Sequence, residues 1–174
     1  MPDASRAAGE RRLGLPADSF AYRALSPVDY LDVYATEVAK QATLEEVAQP
    51  MLGGRPLRLM RLRDALVRPF GLKTTPRGPR RLSRFLKGER IGLFTVFERS
   101  AVELLVGEDD RHLDFRVCLR VTGDGQATLA TLVRFNNGWG RAYFTLIRPF
   151  HGFVVKGMLR RAANALNGRV EVSP

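Results

Sequence analysis

The chain is poor in the residues that carry most recognisable chemistry: it has one cysteine, Cys118, and two histidines, His112 and His151. A lone cysteine excludes a disulfide framework and a cysteine-ligated zinc site, and it makes a reducing, cytoplasmic setting the expectation. The opening residues MPDASRAAGERRLG lack the apolar core of a signal peptide, and no run approaches the roughly 20 apolar residues that a membrane span needs. Catalytic signatures are missing too. There is no H-E-x-x-H, no C-x-x-C, no G-x-S-x-G and no G-x-x-x-x-G-K-[ST]. The stretches GDGQAT and GWGRAY begin as G-x-G but lack the third glycine, which argues against a dinucleotide site. No cofactor is expected.

What the sequence does have is apolar content and unevenly placed positive charge. A chain of 174 residues with 45% hydrophobic residues is one domain, large enough to bury a core without metal or disulfide support. Residues 1–16, small and charged, read as a flexible arm, which leaves 17–174 as the domain. The net charge is +10, and the stretch from Arg55 to Arg90 alone holds twelve basic residues against two acids. So local a concentration suits an anionic partner, whether nucleic acid, an anionic membrane or an acidic protein. A solvated helix face followed by a loop is the plainer reading. Only Phe70 and Phe85 interleave with the charges, and single-strand binders stack bases on aromatics.

Periodicity supplies the elements. YLDVYATEV (Tyr30 to Val38) reads as a strand, and Thr43 with Glu46 has capping-box spacing at the start of a short helix in TLEEVAQPML. RPLRLMRLRDALVRPFGLK predicts a second helix with Leu59, Met60, Leu62, Leu66, Val67 and Phe70 on one arc. Arg63 projects from the middle of that arc. It needs an anion or a polar ligand group there, with a strand carboxylate such as Glu98 as the ordinary alternative. KTTPRGPRRLSRFLKGER reads as a mobile connection with a helical turn at Ser83 to Leu86. Four strands follow, in IGLFTVFER, AVELLV, HLDFRVCLRV and ATLATLVRF, with a tight GDGQ turn before the last. HLDFRVCLRV alternates strictly, which predicts a packed face (Leu113, Phe115, Val117, Leu119, Val121) and a wet one (His112, Asp114, Arg116, Cys118, Arg120).

From Trp139 onward the spacing is helical, and the apolar phase runs through Pro149 without a jump. Trp139, Tyr143, Leu146, Ile147, Phe150, Phe153, Val154 and Met158 fall on one arc, with Pro149 on the polar side, as in a long helix curved over what it covers. The competing reading makes RAYFTLI a strand and puts Pro149 in the first turn of a shorter helix. His151 lies at the border of the arc, where a histidine bonded to a carbonyl is the ordinary reading and an acid–base or ligand role the sharper one. Glu108, Asp109, Asp110, His112 and Asp114 in GEDDRHLD are the densest set of hard-metal ligands. They read as a charged turn, and no metal site is expected.

LMRLRDALVRPFGLK, EDDRHLDFRVCLRV and NNGWGRAYFTLIRPFHGFVVKGMLRRA, in this order, resemble the bacterial domain-of-unknown-function family 2867, which is similar to the START-like helix-grip (SRPBCC) superfamily. The resemblance spans nearly all of residues 17–166, and Pro149, Phe150 and His151 are its most specific piece. It implies an α+β fold in which a curved antiparallel sheet wraps around a long C-terminal helix, with two short helices after the first strand and a hydrophobic cavity between helix and sheet. It implies no activity. The expected function is binding of a small hydrophobic or amphipathic molecule in a pocket of about 300–1,000 Å³. Arg63, Tyr143, His151, Trp139, Ile147 and Phe150 are the candidate ligand-binding residues. An enzyme acting on such a molecule, and a basic-surface module at residues 55–90, are the alternatives.

Overall fold

The computed structural model describes residues 15–52, 85–91 and 94–167. A short 3-10 helix, Phe20–Arg23, leads into strand β1, Tyr30–Glu37, and helix α1, Leu44–Leu52. The sheet continues with β2 (Arg90–Ile91), β3 (Phe94–Arg99), β4 (Glu103–Asp109), β5 (Leu113–Thr122) and β6 (Gln126–Phe135), and the chain then enters helix α2, Gly138–Asn167. The six strands form one curved antiparallel sheet in the order β1-β6-β5-β4-β3-β2, so the first strand docks against the last. The fold is α+β. The helix expected in RPLRLMRLRDALVRPFGLK (residues 55–73), with Arg63, lies outside the described residues, as does most of the Arg55 to Arg90 segment.

Local chemistry explains the element ends. The Thr43 hydroxyl accepts from the Glu46 amide at 3.3 Å while the Glu46 carboxylate accepts from the Thr43 amide at 2.9 Å, a reciprocal cap on α1. The turn from β5 to β6 needs the left-handed region and uses Gly125, at φ +90°, to reach it. Asn137 starts α2, its side-chain oxygen accepting from the Gly140 amide at 3.0 Å. From there α2 runs without interruption for 30 residues through Pro149, which excludes the strand reading of RAYFTLI. Two expectations fail nearer the middle. The run IGLFTVFER is two strands, with Arg90 opposite Thr95 and Ile91 opposite Phe94, so the chain doubles back within it. Phe85 and Leu86, placed in a helical turn by their sequence, are not helical; Phe85 is buried at φ +49°.

The sheet has two covered faces. Toward α2 it presents Leu113, Phe115, Val117, Leu119 and Val121 of β5, continued across the register by Val133, Thr131 and Leu129 of β6 and by Tyr30, Asp32 and Tyr34 of β1. Val47 and Met51 of α1 share the core beneath it with Val155, Leu159 and Ala162 of α2. The opposite face was expected to be wet, and it is not. Leu15, Ala21 and Leu25 fold back over Leu105, Cys118, Ala130 and Leu132 to make a second apolar cluster. The arginines on that side are paired: Arg116, buried, with the exposed Asp109 at 2.8 Å, and Arg120 with the buried Glu103 at 3.5 Å. Alternation of polar and apolar residues cannot show that a preceding segment will close over the polar side.

Glu103 is the peg of this second layer. Its carboxylate accepts from the Ser19 hydroxyl, from the Phe20 amide at 3.3 Å and from the Cys118 thiol at 2.8 Å. Burial and the neighbouring carboxylate push the Cys118 thiol well above its ordinary range, so it stays protonated. Two outcomes are expected. Glu103→Ala loses about 3 kcal/mol in urea unfolding, because it strands several buried donors at once. Cys118 resists alkylation at neutral pH and reacts only as denaturant opens the fold.

Candidate functional site

Helix α2 approaches its neighbours closely at two of its glycines, Gly140 and Gly152. A Cβ on Gly140 would lie 1.9 Å from the His112 carbonyl oxygen, and one on Gly152 would lie 2.8 Å from the Tyr34 hydroxyl. Alongside these approaches large side chains stand between helix and sheet and do not fill the space. A partly enclosed cavity of about 170 Å³ results. Tyr143, Phe144, Ile147, Phe150, His151 and Val154 form its helical wall; Phe115, Val117, Leu129, Thr131 and Val133 form its floor, with Glu108 and Asp110 at the β4 end. The cavity is smaller than the range expected from the sequence. An apolar cavity of roughly 150 Å³ is enough to take a single benzene ring.

The walls are mostly apolar, and apart from Glu108 and Asp110 at the β4 end the polar groups gather in one corner. His151 on α2 brings its Nε2 to 3.2 Å from Oδ2 of Asp32 on β1, both side chains mostly buried (18% and 12% exposed). The separation is that of an ion pair, but the alignment is not that of a hydrogen bond, so His151 Nε2 has no hydrogen-bond partner among the described residues. Asp32 Oδ1 and the Thr131 hydroxyl are buried without partners as well, and Asp32 and Thr131 face each other across the β1–β6 ladder. Buried polar atoms left unpaired cost stability, and such a cluster marks a place built for something else. Tyr30 closes the corner: its hydroxyl donates to Asp32 Oδ2 at 2.9 Å, and its ring sits 4.6 Å from Phe144 and 6.1 Å from His151, centroid to centroid.

Of the residues singled out from sequence, Tyr143, Ile147, Phe150 and His151 line this cavity. Trp139 does not; it lies two-thirds exposed at the start of α2. Arg63 lies outside the described residues; Glu98, its suggested partner, pairs with Arg23 at 2.6 Å. His151 meets a carboxylate where a carbonyl was the ordinary expectation. Asp32 and Thr131 were missed, although each left a trace: a carboxylate between two same-face tyrosines in YLDVY, and a lone hydroxyl on the inward face of ATLATLV. The GEDDRHLD carboxylates are dispersed. Asp114 is saturated by Arg134, Asn136 and the Asp110 amide, Asp109 pairs with Arg116 on the far face, and Glu108 turns toward the cavity. Among the described residues no group of three or more His, Cys, Asp or Glu could hold a metal ion, and no helix is long and apolar enough to cross a membrane.

Residues 24–158 match the family described as protein of unknown function (DUF2867), a span that takes in both the sheet and the cavity-lining part of α2. The chain belongs to this family. No curated protein and no solved structure matches it. Within this DUF2867 domain the corner has a pH signature of its own. Burial, the bond to Asp32 and the charge of that carboxylate push the Tyr30 hydroxyl up to about 12 from 10.0. The folded state therefore holds this proton more tightly than the unfolded chain. The resulting stability is fully present below pH 10.0 and is lost as pH rises toward about 12. Ultraviolet titration of tyrosinate should show a late-ionising group that Tyr30→Phe removes, distinct from Tyr34, which burial also raises, and the fall in unfolding free energy across that window should flatten in the same variant.

Proposed function

We propose that the cavity between α2 and the sheet binds a small, compact and mostly apolar molecule carrying one hydrogen-bonding group, which sits at the His151–Asp32–Thr131 corner. The observation that carries this reading is the contrast within the site: mostly apolar walls, and three of the four buried side-chain polar atoms that lack partners among the described residues brought together in one place. A hydroxyl can answer all three, since it can donate to Asp32 Oδ1 and accept from the Thr131 hydroxyl and from an N–H at His151 Nε2. The volume of about 170 Å³ favours a ligand about the size of one ring over a long acyl chain. Charge narrows the class further. Asp32 in the corner, with Glu108 and Asp110 across the cavity, disfavours a carboxylate ligand. The architecture supports a START-like helix-grip assignment: a curved antiparallel sheet, its first strand beside its last, with a long C-terminal helix across one face and a cavity between them. A buried, protonated lone thiol fits a cytoplasmic setting.

The Asp32–His151 pair also gives a specific basis for a reaction, because an imidazole steadied by a carboxylate can take or return a proton from a bound hydroxyl. Binding comes first in either case. Para-cresol, para-xylene and para-toluate have matched rings and differ in the polar group. Ligand-observed NMR should rank cresol about ten-fold tighter than xylene, with toluate weakest. Thr131→Val should bring cresol and xylene closer together, and Val154→Phe should reduce binding of all three by filling the cavity. Equal binding of the three rings, or binding unchanged by Val154→Phe, would contradict the reading.

A further inference from the structure

Helix α2 is apolar on two sides. Its buried stripe runs through Phe144, His151, Val155, Leu159, Ala162 and Leu166. About half a turn away, Trp139, Leu146, Phe150 and Phe153 form a second stripe that points to solvent, at 67%, 55%, 45% and 72% exposed. These are the large, costly side chains that a water-facing surface sheds, and they line up at the spacing of one helical face. The polar residues of the helix are equally one-sided. Gly138–Asn167 contains Arg141, Arg148, Lys156, Arg160 and Arg161 and no aspartate or glutamate. Arg141, Arg148, Lys156 and Arg160 are exposed. Three of these reach back over aromatic rings of the sheet: Arg141 over Phe135 at 5.7 Å, Arg148 over Tyr30 at 5.5 Å and Lys156 over Tyr34 at 5.4 Å. Their charge is thereby held on the side of the helix that meets the sheet, while Arg160 lies next to the ridge in helical phase.

From this pairing of an aromatic ridge with an acid-free row of cations we infer that the outer face of α2 docks on an anionic lipid surface. Trp, Phe and Leu suit the boundary between headgroups and acyl chains, and the exposed cations of the same helix meet lipid phosphates. The helix lies in the plane of the surface and does not span it, in keeping with its polar flank. A protein partner would have to supply a long acidic rim to match the same face, whereas an anionic bilayer supplies it everywhere. Phe150 belongs to the ridge and to the cavity wall alike, so docking brings the cavity mouth to the bilayer. That last consequence rests on the ligand reading above; the docking does not.

Trp139 is the chain's single tryptophan and sits on the ridge, so its fluorescence reports the contact directly. The intact protein, without added ligand, is mixed with phosphatidylcholine vesicles that contain or lack phosphatidylglycerol. The expected result is flotation with the anionic vesicles only, with a shift of Trp139 emission to shorter wavelength that salt reverses. The double variant Leu146→Ser/Phe153→Ser, both changes on exposed positions, should bind at least about ten-fold more weakly with its fold intact. Three results would overturn the inference: no vesicle binding; binding that the double variant leaves unchanged, which would assign it to another surface; or a self-associated protein in sedimentation that the double variant converts to monomer, which would make the ridge a contact between copies. Cavity binding is measured separately with para-cresol, so failure of one leaves the other standing.

Discussion

The arrangement depends on how closely one helix can approach one sheet. At Gly140 and Gly152 backbone nearly meets carbonyl or hydroxyl, an approach that a side chain at either position would forbid. With α2 drawn in at those positions, the bulk of Phe144, Ile147 and Phe150 opposite Phe115 and Leu129 leaves an interstice instead of a filled core. Packing this tight elsewhere does not tolerate unfilled space lightly, since lining atoms lose contacts on one side. The cavity is thus a direct product of where glycine sits and where aromatics sit along the same helix.

The two faces of the sheet treat their buried acids differently, although Arg120 Nε on the far face also lacks a hydrogen-bond partner among the described residues. On the far face every lone pair of Glu103 is engaged, by Ser19, Phe20, Cys118 and Arg120, and Asp114 is saturated by Arg134 and Asn136. These networks fasten the segment beginning at Leu15 and the turn before β5 to the sheet. Beneath α2 the equivalent groups, Asp32, Thr131 and His151, are brought together and left short of partners. A fold able to satisfy its buried acids so fully on one side leaves this corner conspicuous on the other.

The sequence made some of this legible. The capping box at Thr43, the glycine turn before β6, the inward face of β5 and the continuity of the helix through Pro149 all follow from local rules, and all are present. What failed was information that is not local. Strict alternation in HLDFRVCLRV reads as one wet face, because nothing within it says that Leu15 and Ala21 will cover Cys118. The phase of α2 was blurred for a related reason. With apolar residues on both its inner and outer faces, a single arc could be drawn that mixed Trp139 and Phe153, which face solvent, with Val154 and Met158, which do not. The doubling back within IGLFTVFER, which sets Ile91 opposite Phe94, left no signal in a continuous apolar run. Asp32 escaped notice because a single acid in a half-buried strand reads as solvated until its neighbour across the cavity is known.

DUF2867 membership establishes the family and leaves the chemistry to the site itself. The central claim is that the polar corner receives the polar group of a bound molecule. The chain has only two histidines, and they lie in different surroundings: His151 at the cavity wall, His112 beside Asn137 at the sheet end. Nitrogen-15 NMR of the imidazoles during titration with para-cresol tests the claim most directly. The account predicts that one ring nitrogen of His151 shifts with ligand while His112 stays in place; His151 unmoved at saturating cresol would contradict it.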